Sequence, residues 1–472
     1  MSTRPIEGPG SRHRDRVGLG DAIVLGLSSS GPAQTLAVSL AGLVAVSGYG
    51  GVLPILICFV PMLGIAIAYQ RLNRWDQSAG ATYTWVAKVF HPYLGFLAGW
   101  MILLYYTLGT TTLTIPAGIY TVDLLDPALI DNHWAIFTAG AFWNTLITVL
   151  AILGLRLVAR FEWLTVVFQY TVLLIVAVVA LRALAQGRAA VEFSWAWFSW
   201  ASLGGMKGLI GGILIACFMY SGWDAAIYVN EETTDRANNP GKAALASVVM
   251  LALVYSAVTF AFQAVLSGPD MQAHAANVLS AVSSRLLGKP WGSIMSLVVL
   301  TGTLATLQAA IISAARVGLA MSRDRVMPAF FQRLARGGPW AATLTMSAVN
   351  LCLLALALGT SGIAAALSNA ASSLGLISLV FYGLTAAAAL WQQRKTLLDT
   401  RANLILGGLL PLVGVSFSAW VTVESLLTGA VSLTVVLYGF GSILVGAAVA
   451  LILHRCMHIG FFDSSRQPRS AA

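Results

Sequence analysis

Apolar runs of about 20 residues recur along the whole chain, each long enough to cross the roughly 30 Å hydrocarbon core of a bilayer. Only 10% of the residues are charged, against roughly 25% in a soluble protein. A surface with so few charges cannot be wetted all round. Spanning segments must satisfy their own backbone hydrogen bonds, and ten-residue alternating barrel strands are not seen. The chain reads as an all-α membrane protein of about twelve transmembrane helices, over 20–46, 51–70, 92–122, 134–153, 161–182, 208–230, 243–267, 291–321, 341–359, 363–390, 403–424 and 431–454.

Charge sets the expected orientation. With the N-terminus inside, basic residues such as Arg71, Arg74, Arg156, Arg160, Arg236, Arg316, Arg323, Arg394 and Arg455 fall on the cytoplasmic side. Arg182, Arg188, Lys207, Arg285 and Lys289 fall outside. That asymmetry fits an even number of spans, with a tail over 1–17, an extracellular loop over 183–207 and a tail over 456–472, both ends cytoplasmic. The net charge of +9 is explained by topology and the lipid bilayer, with no nucleic-acid partner needed. The basic N-terminus lacks a short apolar core with a cleavage site, so no signal peptide is expected. Cys58, Cys217, Cys352 and Cys456 are scattered, and all six histidines fall at span ends or in loops. Those placements argue against a disulfide framework, a metal site or a haem enzyme. The excess of arginine over lysine, with abundant alanine and glycine, suggests a GC-rich bacterial genome.

Two spans carry an interruption. The first contains "LGLSSSGPAQT" (25–35), where a continuous helix favours Leu or Ala; the sixth contains "YSGWD" (220–224). Each opens a five-helix block, over 18–182 and 208–390, with two further helices in 391–455. Five is odd, so the second block sits inverted in the membrane. Interrupted spans at matching positions of inverted halves mark a binding site at the bilayer midplane. Unwinding there frees amides for a carboxylate and carbonyls for an ammonium or a cation. A plain kink at Pro32 and close packing at Gly222 would explain either interruption alone.

On that reading Ser28, Ser29, Ser30 and Gly31 bind a carboxylate, and Phe218, Tyr220, Ser221, Gly222 and Trp223 form the walls and gate. Asp224 lies at membrane depth, where an acid costs about 2.5–3.5 kcal/mol, so it must face a cavity or a partner. It is a candidate for gating or proton coupling. Thr303 and Thr306 offer hydroxyls to a sodium ion beside the first break. Glu231 and Glu232 lie at the cytoplasmic end of the sixth span near the basic stretch 316–336, where they read either as ion pairs controlling an inner gate or as a solvated acidic turn. An interfacial aromatic belt accounts for Trp195, Trp197 and Trp200.

Three stretches resemble the amino acid–polyamine–organocation transporter family. "SAGATYTWVAKVFHPYLGFLAGW" (78–100) is similar to its AGG-x-Y-x-Y-V segment. "YSGWDAAIYVNEETTDRANNPGKAAL" (220–245) is similar to its sixth-span signature, and "SAARVGLAMSRDRVMPAFF" (313–331) to its R-x-x-x-A-M-A-R-D-G-x-x-P. The likeness runs from about 18 to 455. It implies a five-plus-five inverted repeat with two C-terminal helices, and a bundle of spans 1, 2, 6 and 7 that rocks against a scaffold. The chain departs from the pattern at Ala81, Ser322 and Arg325. Alignment also puts Gln169 where many proton-coupled relatives carry a lysine, and an amide cannot titrate.

The expected function is secondary transport of an amino acid or related amine by alternating access. No GxxxxGK[ST] occurs, so the energy must come from exchange or an ion gradient, with a proton or sodium as the only cofactor. A polyamine or organocation carrier is the alternative. A membrane enzyme fits poorly with the absence of histidines and clustered acids within the spans, and a receptor with the absence of a sizeable soluble domain.

Overall fold

A computed structural model describes residues 17–153, 155–334, 338–360, 363–429 and 433–463. The expected tails over 1–16 and 464–472, and Arg336 of the basic stretch, lie outside the described residues. Helices account for nearly all of the rest: α1 (Leu19–Ser30), α2 (Pro32–Ser47), α3 (Val52–Trp75), α4 (Thr82–Val89), α5 (Pro92–Leu125), α6 (His133–Leu153), α7 (Leu155–Ala185), α8 (Gly205–Tyr220), α9 (Ala225–Tyr228), α10 (Asn239–Phe262), α11 (Gly268–Ala273), α12 (Val278–Leu287), α13 (Lys289–Arg323), α14 (Trp340–Thr360), α15 (Ile363–Gln393), α16 (Arg401–Asn403), α17 (Leu410–Leu427), α18 (Leu433–Val436) and α19 (Ser442–Arg455). A π-helical turn, Leu404–Leu409, joins α16 to α17, and another, Leu437–Gly441, joins α18 to α19.

Ten segments among the described residues are long and apolar enough to span a membrane, and Trp340–Leu356 and Ser442–Arg455 are shorter apolar helices. The protein is a multi-pass membrane protein. Three short helices stand where the hydropathy reading assigns nothing: α4 between the second and third spans, and α11 and α12 between the seventh and eighth.

Two of the expected spans are broken. The first is α1 and α2, parted at Gly31; the sixth is α8 and α9, parted over 221–224. The two run antiparallel. At one end Val17, just before α1, donates to the Glu232 carbonyl (3.1 Å) and accepts from the Thr234 amide (2.9 Å), beyond α9. At the other end Ser47, closing α2, donates through Oγ to the Gly208 carbonyl in the first turn of α8 (3.1 Å). The start of one broken span therefore meets the end of the other, as inverted repeats require.

These two spans form the interior. α8 is buried throughout its apolar length, whereas α6 and α7 leave large residues such as Phe142, Leu164 and Val178 exposed for lipid. The long helices α5 and α13 pack along one another and carry the far wall of the site. Close approaches rest on glycine: a side chain at Gly375 of α15 would strike the Leu214 carbonyl of α8.

Candidate functional site

The first break is narrow. Gly31 takes φ +48°, a left-handed conformation that suits glycine, and its amide closes α1 on the carbonyls of Leu27 (3.1 Å) and Ser28 (3.0 Å). Pro32 then opens α2 with no amide to satisfy. The first amide of α2 with a backbone acceptor is that of Thr35, on the Gly31 carbonyl (2.8 Å). Those of Ala33 and Gln34 have none among the described residues. Most carbonyls of the last turn of α1 are already used. Ser30 Oγ donates to Gly26 O (3.0 Å), Thr306 Oγ1 to Ser28 O (2.7 Å), and Thr35 Oγ1 and Tyr255 OH to Ser30 O (2.6 and 3.1 Å). The hydroxyls of Ser28 and Ser29 are buried and have no partner among the described residues.

The second break is wide. Ser221 is extended and Gly222 takes φ +101°, with the position of a side chain there 2.7 Å from the Ser29 carbonyl. The two breaks are thus in backbone contact, and only a glycine permits it. Asp224 follows, fully buried. Its Oδ1 accepts from Tyr382 OH (2.9 Å) and Tyr106 OH (3.4 Å), and its Oδ2 from Tyr228 OH (3.0 Å). Three phenols from α5, α9 and α15 solvate the carboxylate in place of water, which is how the protein tolerates it at this depth.

Between the breaks lies a cavity of about 30 Å³, room for about two water molecules. Of the residues singled out in the sequence, Ser29, Ser30, Phe218, Ser221 and Gly222 line it, and so does Thr306 of the candidate cation site. Gln34, Thr35, Tyr105, Tyr106 and Thr112 line it too, and sequence reasoning missed them. No charged side chain is among the described residues that line it. Other candidates stand behind this layer. Trp223 stacks on Tyr382 (5.3 Å between ring centres) and meets Tyr69 edge-on (5.0 Å), and Tyr220 donates to the Ile55 carbonyl (3.1 Å). Asp224 stands behind the lining and is linked to it by Tyr106, and by Tyr382, whose hydroxyl also accepts from the Gly222 amide (3.4 Å).

The candidate cation site is made of hydroxyls that already donate. Thr303 Oγ1 donates to Val299 O of its own helix (2.7 Å), and Thr306 Oγ1 also reaches Gly302 O (2.9 Å). Gln169 of α7 is buried against the same turn: a side chain at Gly302 would come 2.5 Å from its Oε1. Neither end of its amide has a partner among the described residues.

Beyond α9 stand two ion pairs. Arg316, only 4% exposed, holds Glu232 by a fork: Nε to Oε1 (3.0 Å), Nη2 to Oε1 (2.8 Å) and Nη2 to Oε2 (3.0 Å). Arg323 Nη1 meets Glu231 Oε1 at 3.2 Å, and the same oxygen accepts from the Ala79 amide (3.1 Å). Asp324, just past α13, accepts from Tyr83 OH (2.7 Å). Burial pushes its carboxyl above the usual carboxylate range, opposed by the Tyr83 hydrogen bond and by the charges of Lys88 and Arg323.

Residues 21–423 match the family described as amino acid permease. A low-affinity putrescine importer of Escherichia coli is 26% identical over 212 residues, 45% of this chain and 45% of the importer's own length. An uncharacterised transporter of Mycobacterium tuberculosis is 28% identical over 383 residues, 80% of each chain. The human large neutral amino acids transporter small subunit 2 is 23% identical over 379 residues, 78% of this chain and 67% of that protein.

Proposed function

Because the chain belongs to the amino acid permease family, we propose that it carries a neutral, zwitterionic amino acid across the membrane by alternating access around the two helix breaks. The observation that carries this reading is the balance of charge in the cavity. Its side chains are all neutral, the α2 end presents unused amides, and the α1 end faces them with its negative pole. A zwitterion places a carboxylate and an ammonium a few ångströms apart, matching two opposed helix ends. A diamine has no group that accepts a hydrogen bond and would leave those amides empty. Asp224 offers it little, since both carboxylate oxygens are held by phenols.

The positive-inside distribution assigns the Glu231 end to the cytoplasm, so the ion pairs of Arg316 and Arg323 form the inner gate and the outer side is the one that opens first. Asp224, beneath the cavity and above the gate, reports occupancy through Tyr106. The contracted cavity must widen to admit an amino acid, and rocking of the bundle that contains both breaks supplies that room. Energy comes from exchange or an ion gradient. A sodium ion would use the remaining lone pairs of Thr303 and Thr306 with the Ser28 carbonyl.

Uptake into proteoliposomes tests the reading. Labelled neutral amino acids, lysine and putrescine are offered with and without sodium, and with and without unlabelled amino acid inside. Neutral amino acids should accumulate unchanged and putrescine should not compete. Uptake confined to putrescine, the substrate named for the E. coli relative, would overturn the substrate class. No uptake of any compound would overturn transport itself.

A further inference from the structure

We propose that the segment Gly460–Phe462, after the last helix, is a clasp on the inner gate, and that Tyr83 is the positioning residue through which it acts. The inference rests on reading the Glu231–Arg323 and Glu232–Arg316 pairs as that gate.

The chain does not run away from α19. Met457 N and Ile459 N fold back onto the carbonyls of Ile452 (3.3 Å) and Leu453 (3.2 Å), and His458 takes φ +49° to make the turn. A non-glycine residue in that region is strained and persists where surrounding contacts over-determine it. Those contacts are aromatic. Phe462 is 3% exposed, with ring centres 4.9 Å from Tyr93 and 5.8 Å from Phe96. Phe461 stacks on Tyr83 at 5.4 Å and 20°. His454 of α19 ties the turn down from behind, to Tyr93 OH through Nδ1 (2.5 Å) and to Asp463 through Nε2 (3.4 Å).

Tyr83 is where this cluster reaches the gate. Its ring is 1% exposed, and its hydroxyl holds Asp324, the residue after Arg323. Four residues before it, the Ala79 amide shares the Glu231 oxygen that Arg323 also holds. Between Ala79 and Tyr83, Ala81 takes φ +41°, a second strained position in the same short segment. Both groups that grip Glu231 are therefore set by the placement of one tyrosine, and the outer face of that tyrosine is covered by Phe461. With the clasp in place, Arg323 and Ala79 stand ready for Glu231 each time the bundle swings back. Without it the grip loosens, and the inward-open state gains population.

The test reads access to a cysteine between the gate and Asp224. Full-length protein with Cys58, Cys217, Cys352 and Cys456 replaced by serine carries Ser313→Cys, one turn above Arg316 on α13. A control form carries Ser202→Cys at the opposite end. Alkylation by a small hydrophilic methanethiosulfonate is timed with no substrate present. Phe461→Ala with Phe462→Ala should speed labelling at position 313 about tenfold, near the upper limit of what loss of a stacked aromatic pair can shift, and leave position 202 within about twofold. Tyr83→Phe, which keeps the ring and loses the Asp324 bond, should give part of the same rise, not additive with the double variant. Phe461→Trp should restore the slow rate. Unchanged labelling at 313, or an equal rise at 202, would overturn the clasp. Because labelling needs no transport, that failure leaves the permease reading standing, and a protein that transports nothing can still pass or fail it.

Discussion

The two helix breaks do the same geometric job with opposite chemistry. At Gly31 a single residue interrupts the helix, the α1 carbonyls are largely bonded, and the α2 amides are left over. At 221–224 several residues interrupt it, and the polar group left over is an acid, enclosed by Tyr106, Tyr228 and Tyr382. Both breaks line the cavity, the first with amides that lack an acceptor and the second through Ser221 and Gly222, while the acid stands behind them with its donors already in place. An inverted repeat therefore does not imply a symmetric site. One half offers unpaired donors to the cavity, and the other holds an acid whose donors are its own tyrosines.

Substitutions can break that comparison or sharpen it. The largest effect is expected from Gly31→Val: the left-handed φ resists a β-branched residue, and its Cβ would collide with the Thr306 hydroxyl. Substrate binding, read by thermal shift, should vanish, and wild-type affinity would refute the first break as the site. Gly222→Ala should be nearly as severe, because the collision there is with backbone. Next comes Arg316→Ala, which strands Glu232 beyond the half that holds the acid. Breaking a buried pair costs about 3–5 kcal/mol, and with Glu232 partly in water the lower end is expected in urea unfolding. Arg323→Ala removes the more exposed pair and should cost about 0–1 kcal/mol. Equal losses would mean that the two pairs are not the distinct closures their burial suggests. Asp224→Asn keeps the shape of the side chain and removes its charge, so uptake should slow about tenfold or more; an unchanged rate and pH profile would show that the acid is only structural. Tyr106→Phe should be mild, about 0.5–1.5 kcal/mol for one long hydrogen bond, visible as a small fall in melting temperature.

How far the sequence revealed all this follows from what kind of signal each part leaves. Hydropathy marks spans strongly, and a serine-glycine-proline run inside one is conspicuous, so both breaks and Asp224 could be read directly. The phenols could not. Tyr106 and Tyr382 sit in α5 and α15 among other aromatics, and nothing in a membrane helix separates a tyrosine that packs from one that donates to a distant acid. Gln34 and Thr35 end the "LGLSSSGPAQT" stretch itself but read as ordinary helix residues, because what makes them line the cavity is the turn at Gly31. Tyr220 and Trp223 are close to the break in sequence, but their side chains are held by α3 and α15, behind the lining. The short helices α4, α11 and α12 escaped because span-length windows average them away.

The pairing of Val17 with Glu232 and Thr234 at one end, and of Ser47 with Gly208 at the other, gives the broken spans the mechanics of a four-bar linkage. Four half-helices are the bars, two breaks are the inner pivots, and the end pairings are the outer ones. In such a frame no bar turns alone. Bending at one break is passed through the frame to the other, so the half with free amides and the half that holds the acid are mechanically coupled.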